Sequence, residues 1–471
     1  MNASFYNGVL GVKAHQFGLD VWANNIANIN TIGFKSYTPE FASIFATTLQ
    51  EAYFEPTSND KGLGTRAQTT ALNLSQGVFQ TTDRIFDLAI ENEGWFGVLG
   101  QNQATVYTRA GEFSVDKAGY LVDKNGYYLL ATSGNNLTPT TLSQDKLAQF
   151  ASNGQAIQPF ALKSILSDVA LGNVGDQTKV QLPDYLYLPP QATTSIAYSA
   201  NLDPTMMYDK ASNEIANTEH FSTYIIAPDG SKNMLDLTFV KKIPQATQGS
   251  IWDVKAYILS YDKNDALTAY DPTLYYKNPS DNKVYKIIDA KEGVLSFGNA
   301  GELIGNTLPA LLNHGLAMNL DLGEVGSFNG MSASASINKT PSSTHNGYTE
   351  GFLRSYGMDA YGNIMAQFDN GKNSAIAKLA VYHFQNDQGL MPASSTYFSP
   401  SSNSGNPIFY TKNDGQTFLG SRIHSSALEG SNVSMATALT ELIVMQKAFD
   451  ANAKSITTSD QLIQNAINMK K

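Results

Sequence analysis

Phe5, Val12, Leu19 and Ile26 recur every seven residues at the start of the chain, and Met435, Leu442, Phe449, Ile456 and Ile463 do the same at its end. A second line accompanies each, Val9, Gln16 and Ala23 at the first and Leu439, Gln446, Ala453, Asp460 and Ile467 at the second. A seven-residue repeat on two lines marks a helix with one narrow apolar seam rather than a broad core-facing stripe. The spacing therefore predicts a long helix at each end, and one of about 35 residues would be roughly 50 Å long. Neither would be stable alone, so each must order against neighbours. An antiparallel hairpin inside an ordinary globular protein fits this pattern as well as association between copies does.

Both ends are also poor in charge. The far face of the C-terminal helix carries Thr437, Thr440, Thr457, Thr458, Gln461, Gln464, Asn465 and Asn468, where a solvated helix normally has Lys and Glu. "ANNIANINTIGFK" (23–35) places Asn24, Asn25, Asn28 and Asn30 at a helix end, although asparagine side chains compete with helical backbone bonding. Asn30 and Gly33 suit a left-handed turn that stops the helix.

Between the ends the pattern changes to short strands. "YTRAGEFSVDKAGYLVDKNGYYLLA" (107–131) alternates apolar and polar residues around Asp-x-x-Gly and Asn-Gly turns, and "DAYGNIMAQFDNG" (359–371) repeats that spacing far downstream. Two like hairpins flanking a long insert predict a discontinuous β domain (71–140 and 345–427) with a second β domain inserted at 141–344. Residues 35–70 read as a connecting loop or hinge, and 1–34 with 428–471 as the helical part. The fold class is α+β: mainly β domains plus a coiled-coil-like pair of terminal helices. A chain of 471 residues is long enough for two or three domains.

Composition excludes several functions. Charged residues are 15 % of the chain and the net charge is −10, the opposite of a nucleic-acid footprint. Cysteine is absent, which removes disulfides, thiolate metal sites and cysteine nucleophiles. The start, "MNASFYNGVLGVKAH", has no basic region followed by an apolar run, so no cleavable signal is expected. "LIGNTLPALLNHGLAMNL" (303–320) is too broken by Gly, Asn, Pro and His to span a membrane. The six histidines show no metal-ligand spacing. "GLGTRA" (62–67) lacks a dinucleotide loop's third glycine, and "DKNDALTAYD" (262–271) lacks the central glycine of a calcium loop. Asp87 and Glu91 are a conceivable acid–base pair for glycoside hydrolysis but lie in an alternating strand pattern. No catalytic, cofactor or metal residue is expected, and the chain reads as a non-enzyme.

Three blocks carry a resemblance. "GLDVWANNIANINTIGFKS" (18–36) resembles the N-terminal signature of the flagellar rod–hook family of axial proteins. "FDLAIENEGWFGV" (86–98), followed by "YTRAGEFSVDKAGYLV" (107–122), resembles its Asp-Leu-Ala-Ile block. "SSALEGSNVSMATALTELIVMQKAFDANAKSITTSDQLIQNAINM" (425–469) resembles its closing helix. The order and spacing of these blocks fit as well as their composition. Asn92 stands where the family usually has Gly, a change that a left-handed Asn tolerates, and Trp95 replaces the usual Phe.

The resemblance implies a structural subunit of the flagellar hook, a hollow, flexible helical tube that passes torque from rod to filament and conducts exported subunits. The chain's length and large insert fit a hook subunit. The loop "ATTLQEAYFEPTSNDKGLG" (46–64) resembles that of a distal rod subunit, the alternative reading. A secreted carbohydrate-binding or hydrolytic β protein is a remote third. The implied partners are further copies of the chain, a distal rod protein below, a hook–filament junction protein above, a hook cap protein during assembly, and the flagellar type III export apparatus. No nucleic acid or membrane insertion is implied. The implied location is the extracellular hook and basal body, reached without a cleaved signal. In such a polymer Phe5, Val12, Leu19, Ile26, Met435, Leu442, Phe449, Ile456 and Ile463 become candidate subunit contacts, with the amides of Asn24, Asn25 and Asn28 beside them. Thr457, Gln461, Gln464, Asn465 and Asn468 become candidate channel-lining residues.

Overall fold

The computed structural model describes residues 3–44, 47–48, 60–61, 63–100, 102–143, 146, 158–205, 218–243, 249–261, 271–279, 281–335, 340–394 and 396–469. Most of the 46–64 loop and of the 262–271 carboxylate stretch lies outside them. The two terminal helices are present: α1 (Ala3–Ala27) and α2 (Met435–Met469). They run antiparallel, with Gly18 against Met445, Gly11 against Asn452 and Gly8 against Ile456. Ser4 still meets Ser455 at 3.5 Å. Beyond that level no described residue of α1 accompanies α2, and residues 460–469 are all exposed.

The seam between the helices is not the apolar line that the heptad spacing suggested. On α1 the buried residues are Gly8, Gly11, Ala14, Gly18 and Asn25, whereas Phe5, Val12, Leu19 and Ile26 are only half-buried. The heptad is real but lies one residue over: Gly11, Gly18 and Asn25 face inward, and the larger side chains flank them. Glycine presents no side chain, so α2 approaches the α1 backbone closely and the bulky residues are pushed to the rim. On α2 Leu442, Phe449 and Ile456 are half-buried while Met435 and Ile463 are exposed.

After α1 the chain forms a two-stranded ribbon, β1 (Tyr37–Ser43) and β2 (Thr65–Leu72), with a register shift between Glu40 and Phe41. Phe41 lies against the His15 ring of α1, 5.9 Å between centroids, and closes over Gly18. The described parts of the expected hinge are thus strands docked on α1. The ribbon buries that face of the helix where α2 does not.

The large sheet joins residues from both sides of the insert. Ala131 pairs with Leu379, Tyr128 with Leu99, and Phe96 with Val381. Leu88, Phe96, Phe113, Leu129, Ile364 and Tyr382 share one core. The two hairpins that matched in sequence match in geometry. Asp116 Oδ1 accepts from the N–H of Ala118 and Tyr120, as Asp359 Oδ1 does from Tyr361 and Asn363. The expected insert boundary at 141 is too early, because Leu162, Leu182 and Leu186 belong to the first core and Tyr187 pairs with Phe352. The second core runs from Ile196 to Ala333 around Phe239, Trp252 and Leu295. The division falls after Pro189 and Pro190, neither of which has an N–H to donate to a strand ladder.

Candidate functional site

The helix pair is held to the β body by a buried charge cluster built from three distant segments. Gly33 ends the turn after α1 at φ +68° and donates its N–H to the Glu429 carbonyl at 2.7 Å. A Cβ there would lie 2.3 Å from the Ala110 nitrogen, so the close approach requires glycine. Two residues on, the Lys35 ammonium donates to Glu429 Oε1 (2.7 Å) and to the Ser75 carbonyl (2.8 Å). The Gly77 N–H adds a bond to the same Oε1 at 2.9 Å. Arg109 Nη1 donates to Glu429 Oε2 (3.1 Å) and the Ile90 carbonyl (3.2 Å), and its Nη2 to the Asn92 carbonyl (2.5 Å). Asn92 takes the left-handed geometry expected of it, at φ +73°.

Side-chain exposures of 1 %, 1 % and 4 % for Lys35, Glu429 and Arg109 show that water does not share these charges. Burial pushes both cations below their ordinary pKa values, and the Glu429 carboxylate opposes that push. Asn432 completes the joint by accepting from the Ser36 N–H (2.7 Å) and donating to the carbonyls of Asn73 (2.8 Å) and Ser75 (2.9 Å). The three resembling blocks of sequence therefore converge on one point. Sequence reasoning missed this cluster; the signal was a lone Lys and a lone Glu in stretches otherwise nearly free of charge.

The asparagines divide between two tasks. Asn25 is fully buried; its amide donates to the Tyr37 carbonyl (2.7 Å) and accepts from the Tyr37 N–H (2.9 Å). It pins β1 to α1 inside one chain and is not available to a neighbouring subunit, contrary to the expectation from sequence. Asn28 donates to the Asn24 carbonyl (2.9 Å) and side chain (3.1 Å), and accepts from the Thr31 hydroxyl (3.1 Å). This network caps the orphan carbonyls of the helix end. Asn30 stays out of the left-handed region, which Gly33 occupies. Asn24 and Asn28 line a groove of about 570 Å³ between α1, the ribbon and the segment around Pro392 and Thr396.

On α2, Thr457, Gln461, Gln464, Asn465 and Asn468 are all exposed; Thr457 lies on the turn where Ser455, Ile456 and Ser459 are covered, and the other four on the stretch that extends past Ser4. Thr457 donates to the Lys454 carbonyl and Gln464 to Asp460, both at 2.9 Å, so these groups are satisfied within the helix. Exposed apolar side chains also lie on α2: Met435, Leu439, Ile443 (54 % exposed), Val444, Leu462, Ile463, Ile467 and Met469 (83 %). Apolar exposure of this extent along one helix marks an interaction surface. Asp87 and Glu91 are engaged separately, with Arg84 (3.5 Å) and His424 (3.1 Å). Among the described residues no group of three His, Cys, Asp or Glu is placed to hold a metal, and no helix is long and apolar enough to cross a membrane.

A helix pair with an unsatisfied apolar surface, joined through a buried charge cluster to stacked β bodies, is the build of a self-assembling structural subunit. The chain matches the "Flagella basal body rod protein" family over residues 5–35, the "Flagellar hook protein FlgE/F/G D1 domain" over 89–159, and the "Flagellar basal body rod FlgEFG protein C-terminal" over 424–469. It is 28 % identical to the flagellar hook protein FlgE of Borreliella burgdorferi, with all of both chains covered. It is 25 % identical to the FlgE of Escherichia coli, over 99 % of this chain and all of that one. A crystal structure of the Helicobacter pylori flagellar hook protein FlgE2 shares its fold, with a TM-score of 0.51 at 15 % identity, over 74 % of this chain and all of that one. The chain belongs to the flagellar rod–hook family of axial proteins. Within that family it is a structural subunit of the flagellar hook.

Proposed function

We propose that copies of this chain polymerise into a hollow tube with the α1–α2 pair innermost and the two β cores outside. The observation that carries this reading is the exposed apolar surface of α2, above all Leu439, Ile443 and Val444, which α1 does not cover. Burying one such side chain contributes about 1.5–3 kcal/mol, a gain repeated in every subunit. The neutral face of Thr457, Gln461, Gln464, Asn465 and Asn468 then lines the bore, where it holds neither charged nor apolar segments of a passing chain. The insert between Ile196 and Ala333 supplies outer contacts that slide as the tube bends, while the helices keep axial continuity. The polymer sits between a distal rod protein and a hook–filament junction protein, grows under a hook cap protein, and receives subunits from the type III export apparatus. Its role is mechanical, not enzymatic. The test is Leu439→Asp with Ile443→Asp: both side chains are exposed in the subunit, so a folded monomer that forms no tubes is expected. Normal tubes by electron microscopy would refute the reading.

A further inference from the structure

The two ends of the helix pair are complementary. At one end α2 overhangs α1, and residues 461–469 (Gln-Leu-Ile-Gln-Asn-Ala-Ile-Asn-Met) carry no charge. Among the described residues Leu462, Ile463 and Ile467 are exposed there, at 59 %, 42 % and 61 %. At a rise of 1.5 Å per residue this overhang is about 14 Å long. At the other end lies the groove of about 570 Å³, walled by apolar Phe17, Val21 and Phe34 and by neutral Asn28 and Thr70. Among the described residues Asp20 is its one charged wall residue, and the sequence that follows Met469 is Lys470-Lys471.

We infer that the α2 overhang of one subunit seats in this groove of the next, forming the axial contact of the polymer. The inference rests on the polymer reading above and names which surfaces meet. The occupant cannot be the chain's own tail, because Val21 of the groove lies about 26 Å along α1 from Ser4 and the overhang runs the other way from Ser455, which is level with Ser4. A second copy displaced along the helix axis by about 40 Å brings its overhang to the groove. The contact is heterologous: tail and groove are different surfaces, so each seated copy presents a fresh groove and a fresh tail. Such an interface propagates as an open helical filament rather than closing into a dimer. Apolar Ile463 and Ile467 match the Phe17, Val21 and Phe34 wall, and amides on both sides supply hydrogen bonds without bringing like charges together. The same overhang keeps its Gln464 and Asn468 side for the bore.

The chain has no cysteine, so an introduced pair reports only on itself. Thr70→Cys combined with Ile467→Cys, assembled into tubes and treated with a short bis-maleimide, should give a ladder of covalently linked multimers on a denaturing gel. Each single variant should stay monomeric on that gel. Tubes of the double variant that remain un-cross-linked overturn this contact and leave the polymer reading standing. Absence of tubes from the unaltered chain overturns both. As a second measurement, Ile463→Asp with Ile467→Asp should yield a folded monomer with complete loss of tubes; normal tubes from that variant also overturn the contact.

Discussion

Lys35 and Glu429 stand 394 residues apart in sequence and meet in a 2.7 Å ion pair from which water is excluded. The pair, with Arg109 on the other carboxylate oxygen, ties the end of α1, the first β core and the start of α2 into one joint. Its geometry is over-determined by the Gly33 and Asn432 bonds around it.

Glu429→Gln should therefore be among the most damaging substitutions in the monomer. It leaves two buried cations without a counter-charge, and breaking a buried pair in this way costs about 3–5 kcal/mol. Urea unfolding of the purified subunit measures this directly; a loss below about 1 kcal/mol would contradict the role given to the cluster.

Asn25→Ala should destabilise the subunit by about 1–3 kcal/mol, because the Tyr37 N–H and carbonyl lose buried partners. Asn24→Asp with Asn28→Asp should instead weaken tube formation more than it lowers the unfolding midpoint. Comparing midpoint and assembly yield for the two variants separates an internal clamp from a groove wall.

The glycine seam gives a paired prediction. Gly8→Leu drives a side chain into Ile456 Cγ1 and the Asn452 backbone, so the helices should part, with loss of helical circular dichroism and of tubes. Gly18→Ala meets chiefly the flexible Met445 side chain and gains up to about 1 kcal/mol of helix propensity. It should be tolerated. Equal damage from both would show that close backbone approach is not what the glycines provide.

Buried tyrosines set the alkaline limit. Burial pushes Tyr107 and Tyr198 up to about 12 from an ordinary 10. A phenol whose folded pKa is raised contributes stability that is whole below about pH 10 and lost as pH rises through about 12. Lys35 works the other way, its lowered value letting stability rise with pH up to 10.5 and no further. Above that point the tyrosines prevail. Phenolate absorbance and circular dichroism should change together in a pH titration; early ionisation with an intact fold would contradict the burial.

How much of this was legible depended on which side chains carry the information. The terminal helices, the repeated Asp-turn hairpins and the left-handed Asn92 could be read because spacing and turn chemistry are local. The helix seam was misplaced by one residue because hydropathy sees Val12 and Leu19 and is blind to Gly11 and Gly18. Asn25 looked like a surface amide because its partner, the Tyr37 backbone, has no sequence signature. The 141 boundary failed because Tyr187 and Leu188 pair with Phe352 and Gly351, with 160–162 beside them in the same sheet, and a pairing across that separation leaves no local trace.

The most direct test of the central claim is a helical reconstruction, by electron microscopy, of tubes assembled from the purified chain. The account expects α1 and α2 innermost, Thr457, Gln461, Gln464 and Asn468 facing the bore, and the Ile196–Ala333 core outermost. A tube with the helix pair on its outer surface, or a chain that stays monomeric under every assembly condition, would contradict it.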